Sequence, residues 1–367
     1  MSRPSRLHAL LMVRDEADII DRSLDHLLAR FDTLLVFDTG STDGTREAIE
    51  RRAAAEPRLE VFAHPFAHGP VLFHAGLRAL MFERFRDRFR PGDWVARVDA
   101  DEFFITPPRE FIASLRAHES VIVTQNHDLL FVRRDPPPEP GPDGEPSSLP
   151  IEWPPPTGAR AYIDNPTYEP RFFRYRRSMR WAPDRWLPFN PGVAAARRLG
   201  VLHERWRSPE QAIRRWALRL ATSPDMPIGG AHWARARTWY AAARKRSNPQ
   251  LRWLAPGEVP PPTTDADHRP SRRKHLALRA LHGSGLVRLL DRTRPGLAPE
   301  FAPEPFPAER LAEARRLEAR ALAQLARWLD RPEVVLPPDH RPAPAADSPT
   351  IASTPAPASP TGAEPGV

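Results

Sequence analysis

Two carboxylates one residue apart carry the sequence's strongest chemical signal. Asp99-Ala100-Asp101-Glu102 follows directly on the apolar run Trp94–Val98. A turn leaving a strand can aim residues i and i+2 at one ligand. That suits a hard divalent cation such as Mn²⁺ or Mg²⁺, which takes carboxylate oxygens and keeps positions open for substrate phosphates. The competing reading is that both aspartates cap the turn and Glu102 is solvated. A second cluster, Asp38-Thr39-Gly40-Ser41-Thr42-Asp43-Gly44-Thr45, puts an acid after the apolar run Thr33–Phe37, then glycines and small hydroxyls. Such a compact loop can seat a nucleotide base or ribose. Thr42 or Asp43 could equally be the N-cap of a following helix. Glycine at position 40 excludes the Asp-x-Asp pattern of aspartyl phosphatases, and no G-x-x-x-x-G-K-[ST] occurs.

The elements that must position these residues alternate. Leu7–Val13, Thr33–Phe37, Leu59–Ala63, Trp94–Val98 and Ser120–Thr124 are short apolar runs that predict buried strands. Between them, Ala17–Arg30, Thr45–Ala55, Val71–Phe89 and Pro107–Ala117 have helical spacing. This predicts an α/β fold, a mostly parallel sheet with helices on both faces and ligands beyond the carboxyl ends of the strands. Farther on, Arg171–Tyr175 and Ser178–Trp181 read as a strand pair. Ser208-Pro209-Glu210-Gln211 signals a helix start with N-cap serine, proline at the first position and Gln three residues on; that helix runs to about Ala221. His232–Lys245 and Pro307–Asp330 read as further helices.

Composition bounds the classes. The chain has 367 residues, 41% of them hydrophobic, with no cysteine and 46 prolines. Disulfide frameworks, thiol catalysis and Cys-ligated metals are excluded. Ten prolines fall in 136–156, five in 256–270 and ten from Pro332 on, marking an inserted loop, a linker and a disordered tail. The expected organisation is one domain over 1–225, a helical extension over 226–331 and a disordered tail over 332–367. No run approaches the ~18–20 apolar residues of a membrane span, and the start lacks a signal-peptide core, so a cytoplasmic protein is expected. Lys+Arg number 54 against 46 acids, a formal charge of +8. That excess suits an anionic partner, but no nucleic-acid-binding signature accompanies it, and nucleic acid is not expected as a partner. The helix expected over His232–Lys245, with Trp233, Trp239 and Tyr240 beside four cations, suits either a membrane surface or ordinary packing.

In their order, Met12-Val13-Arg14-Asp15-Glu16-Ala17, the Asp38–Thr45 cluster and Asp93-Trp94-Val95…Asp99-Ala100-Asp101-Glu102-Phe103 resemble glycosyltransferase family 2, in the branch whose aspartate motif reads Asp-Ala-Asp-Glu-Phe. Leu202-His203-Glu204-Arg205-Trp206-Arg207-Ser208-Pro209-Glu210-Gln211 is similar to a later segment of that branch. The resemblance implies a GT-A type Rossmann-like fold, a nucleotide-sugar donor (UDP-sugars first) and Mn²⁺ or Mg²⁺. It further implies that Asp15, Glu16 and Asp38 lie at the nucleotide, and Arg78 beside the donor. Asp99 would contact the ribose or metal, Asp101 would ligate the metal, and His203 would close its site. Inverting transfer to a hydroxyl needs a carboxylate to accept its proton; Asp184, Glu169 and Asp128 lie in the right interval, with Asp184 preferred. The acceptor class implied is a saccharide or lipid-linked glycan of a bacterial surface; the basic, aromatic stretch His232–Lys245 is what would give peripheral contact with the inner face of the membrane. Asp15 stands where asparagine is more usual, and Glu204 where an aromatic is. No second histidine occurs near Trp181–Trp186. The rival expectation is an inactive nucleotide-sugar-binding protein of the same fold.

Overall fold

The computed structural model describes residues 4–62, 71, 75–155, 158–222, 238–261 and 272–330. The expected disordered tail 332–367, most of the 256–270 linker and the first half of the expected 232–245 helix lie outside them.

The first half alternates as its apolar pattern predicts. In chain order come β1 (Leu7–Val13), α1 (Ile20–Leu28), β2 (Thr33–Asp38), α2 (Thr45–Ala55), β3 (Leu59–Val61), α3 (Ala75–Arg84), β4 (Trp94–Val98), β5 (Glu102–Phe104), α4 (Pro108–Ala113) and β6 (Glu119–Leu130). The second half adds β7 (Arg160–Arg174), β8 (Val193–Ala194), β9 (Leu199–His203), α5 (Pro209–Thr222), β10 (Arg252–Leu254), α6 (Arg272–Gly283), α7 (Leu286–Arg292) and α8 (Ala308–Leu329).

Among the described residues the strands form one mixed sheet, in the order β3-β2-β1-β4-β7-β6-β9-β5, with β8 beside β6 and β10 beside β7. β3, β2, β1 and β4 are parallel, so their carboxyl ends open on one edge. β7 then runs antiparallel between β4 and β6. Strand alternation sorts the core into two layers. Leu7, Ala9, Leu11 and Val13 of β1 meet Ile20, Leu24 and Leu27 of α1 on one face, while Leu10 and Met12 meet Leu77, Met81 and Phe82 of α3 on the other. This is the expected α/β sheet sandwiched by helices. A third core joins Ala212, Ile213 and Trp216 of α5 to Ala321, Leu322 and Leu325 of α8.

Three expectations need correction. Arg171–Tyr175 is the end of a fifteen-residue strand, β7; prolines at 166 and 170 hid the rest, and the pairing with β6 shifts register on either side of Pro170. Ser178–Trp181 alternates Met179 and Trp181 inward but is no strand. Its carbonyls at 177 and 179 accept from the Arg86 guanidinium instead of from a ladder. In the expected 232–245 helix, Trp239–Ala242 is a single 3-10 turn. Trp239 is 3% exposed and packs against Phe131 inside the third core, so packing, not a membrane face, accounts for its aromatic character.

Gly192 gives a direct test of the β6–β8 junction. Its φ is +136°, and a Cβ there would sit 1.8 Å from the Ser120 hydroxyl. Gly192→Ala is expected to destabilise the protein by at least ~1–3 kcal/mol, the range for forced overpacking, read as a lower urea midpoint; an unchanged midpoint would refute that packing.

Candidate active site

The site forms where β1, β2 and β4 end. Asp15, just past β1, has φ +51°, a left-handed conformation that aspartate and asparagine tolerate best among residues with a Cβ. It knits two loops together. The Asp15 amide donates to Ser41 Oγ at 2.9 Å and the Thr42 amide to Asp15 Oδ1 at 2.8 Å. The Glu16 amide donates to Thr45 Oγ1 at 2.8 Å. Asp38 is spent inside its own loop, accepting from the Gly40 and Ser41 amides and from Arg46 Nε. Left-handed Gly40 and Gly44 permit the turn, and Asp43 caps α2 through the Thr45 amide.

The aspartate motif is held by guanidinium groups from three directions. Asp99 accepts from Arg78 of α3 at 2.8 Å and from Arg171 of β7 at 2.8 Å. Arg171 also reaches Glu102, and Glu169 at 2.6 Å. Asp101 accepts from Arg215 of α5 at 2.6 Å. Burial alone would raise both aspartates; Arg171 and Arg78 hold Asp99 well below the usual carboxylate range, and Arg215 and His203 do so for Asp101. Glu102 is 2% exposed, and burial pushes it up to about 8 despite Arg171. Glu16 rises to about 7 by burial, partly offset by Arg207, which also grips Asp18 at 2.7 Å. Arg219, one turn beyond Arg215, is lowered to about 9 by burial and then by Arg215 and Arg205.

Sheet register brings in the late histidine. On β9, His203 sits opposite Glu102 of β5 and Asp128 of β6. Its Nδ1 lies 2.7 Å from Asp128 and its Nε2 3.4 Å from Asp101. Burial would lower the imidazole, but Asp101 and then Asp128 raise it to about 10.

Residues 10–181 match the model of "Glycosyl transferase family 2". No curated protein matches the chain. Among solved structures, a mannosyltransferase from Pyrobaculum calidifontis, PcManGT, in complex with GDP-Man and Mn²⁺, is 14% identical over 89% of this chain and 76% of its own, with a TM-score of 0.32. So slight a likeness says nothing of this chain's donor or metal.

The matched segment thus gathers most of the residues singled out in the sequence, with His203 joining from beyond the matched range. Among the described residues, no three His, Asp or Glu side chains are arranged around one cation position. Of the expected set, Asp101 and His203 Nε2 face each other at the spacing of two ligands on one ion. Asp128 on Nδ1 fixes the tautomer such a ligand needs. Both oxygens of Asp99 are instead taken by arginines. A divalent ion would therefore fit on Asp101 and His203, completed by phosphate oxygens and water, after displacing the imidazole proton and Arg215. Asp184 does not join the cluster; it is exposed in the loop before Trp186. Arg171, Arg207 and Arg215 went unread because nothing local distinguishes them in an arginine-rich chain. The Glu204 departure also has its reason: Glu204 is buried between Arg22 and Arg160.

The raised imidazole fixes a pH dependence. With a folded value of about 10 against 6.5 unfolded, the His203 contribution is complete below about 6.5 and is lost as pH rises through 10. In metal-free protein, the gap in urea midpoint between wild type and His203→Gln should therefore shrink steadily between those limits. A constant gap would show the histidine to be neutral.

Proposed function

We propose that the protein moves a sugar from a nucleotide-sugar, UDP-sugars being the first to test, onto a saccharide or lipid-linked hydroxyl with inversion. The observation that carries this reading is that three parallel-strand ends, Asp15–Glu16, Asp38–Ser41 and Asp99–Asp101, share one edge of the sheet, where His203 and Arg215 reach Asp101, while residues 10–181 match the family 2 model. The interlocked Asp15 and Asp38 loops pair their amides and hydroxyls with each other, which makes a preorganised ledge on which the nucleoside would rest. Arg205, Arg215 and Arg219 supply positive charge where a diphosphate would lie, and Arg78 fixes Asp99 beside it. Mn²⁺ or Mg²⁺ held by Asp101 and His203 would offset charge on the departing diphosphate.

The acceptor side is a groove of about 380 Å³ lined by Tyr168, Pro170, Asp184, Trp186 and Pro191 among others. Trp186 and Tyr168 are 42% and 45% exposed, and flat exposed rings suit the apolar face of a sugar. The Arg97 guanidinium lies 4.5 Å from the Trp186 ring centre and its Nε donates to the Pro170 carbonyl, joining the groove to the charged cluster. This supports Glu169, rather than the initially preferred Asp184, as the base. Glu169 shares Arg171 with Asp99 and is still 27% exposed, whereas Asp184 is placed to bind acceptor hydroxyls. Asp128 is committed to His203 and Asn165.

Titration calorimetry with UDP, GDP and dTDP, with and without Mn²⁺, tests the reading; binding of none of them would overturn it. Nucleotide binding without turnover on any acceptor would favour the inactive relative. With an active donor and acceptor pair, Glu169→Gln should lower kcat by about 10²–10⁴-fold with acceptor KM little changed. Asp184→Asn should mainly raise acceptor KM, by about tenfold for one charged hydrogen bond. The reverse pattern would return the base to Asp184.

A further inference from the structure

We propose that the helix pair α6–α7 docks the protein on an anionic lipid surface. Between residues 272 and 292, Arg272, Arg273, Lys274, Arg279, Arg288 and Arg292 are all exposed, and the single acid, Asp291, is fully buried. Beside these cations stand four exposed leucines: Leu276 at 53%, Leu286 at 58%, Leu289 at 60% and Leu290 at 39%.

The pattern on α7 is inverted. Leu286, Leu289 and Leu290 recur at i, i+3 and i+4, so they form one stripe. Val287 and Asp291, one turn apart, form the buried one. An amphipathic helix of a globular protein turns its leucine stripe inward; here a carboxylate faces the protein and leucines face out. The helix pair is not a loose arm. Asp291 accepts from Ser178 Oγ at 2.7 Å, from Asn190 Nδ2 at 3.0 Å and from Arg176 Nη2 at 3.2 Å, and His275 of α6 packs edge-on against His118, 5.4 Å between ring centres.

An anchored apolar stripe rimmed by cations is what an interfacial helix presents to acyl chains and acidic headgroups. A nucleic acid would use the cations and leave the leucines in water, so a bilayer fits both features and nucleic acid fits one. Among the described residues no helix is long and apolar enough to cross a membrane, so the contact is peripheral. The anchoring residue Asn190 and its neighbour Phe189, under the Arg294 guanidinium at 5.5 Å, continue the chain segment that lines the Trp186 groove. A docked protein would thereby hold that groove near the headgroups.

Full-length protein is sedimented with vesicles of phosphatidylcholine alone and of phosphatidylcholine mixed with phosphatidylglycerol. The expected result is co-pelleting with the anionic vesicles only, weakened by added salt. The triple variant Leu286→Ser, Leu289→Ser, Leu290→Ser should bind at least about tenfold more weakly, and Arg288→Gln with Arg292→Gln should weaken binding separately, by about severalfold per charge removed. All five side chains are exposed, so unchanged melting curves serve as the folding control. Equal binding to neutral vesicles, no binding to either, indifference to the leucine changes, or tighter retention on a DNA oligonucleotide than on anionic vesicles would each overturn the proposal. None of these outcomes depends on the glycosyl-transfer reading.

Discussion

The arrangement turns on compensating buried carboxylate charge at the carboxyl edge of the sheet. Asp101 and Glu102 have almost no access to solvent, and Asp99 just before them is 28% exposed. Removing one partner of such a buried pair typically costs about 3–5 kcal/mol. Arg171 answers most of that demand, with one guanidinium shared among Asp99, Glu102 and Glu169. It can do so because β7 lies beside β4 and runs back past the motif. The antiparallel strand that breaks the parallel pattern is thus also what supplies the counter-charge.

The same demand explains the C-terminal part of the described chain. Arg215 reaches Asp101 only because α5 is pinned across the sheet edge. It is pinned by the capping box at its start, where Ser208 Oγ accepts from the Gln211 amide, and by the apolar seam it shares with α8. Arg207, between β9 and α5, ties Glu16 and Asp18 of the first loop to the same corner. α8 packs along α5 and so holds the arginines that reach the site.

Salt and protons act on this corner together. His203 bridges Asp101 and Asp128, so any cation taking its Nε2 competes with a proton and with Arg215 for one position. On the proposed reading, a metal ion would have to displace the proton and the guanidinium there, and a diphosphate beside it would draw on the same positive groups.

Much of this was legible in the sequence. Apolar runs of five to seven residues alternating with helical spacing gave β1, β2, β4 and α2 nearly to the residue and α1 to within three, because each element's burial pattern is local and periodic. The acids ending those strands were legible for the same reason. The roles within the cluster were not. Arg171 and Arg215 look like any of the chain's arginines until the strand order places them, and Pro170 disguised the strand that carries one of them. His203 could be singled out, but its position between Asp101 and Asp128 follows from the pairing of β9 with both β5 and β6. Residues 272–292 are not among the expected helices, and burial of Val287 and Asp291 on one side of α7 is what turns its leucines outward. In the first half of the chain, sequence alone determined most strands and helices and which acids stand at their ends, since those depend on neighbours along the chain. Which charges meet, and which face of a helix is left to solvent, depends on residues up to 191 positions apart, and only the tertiary structure decided it.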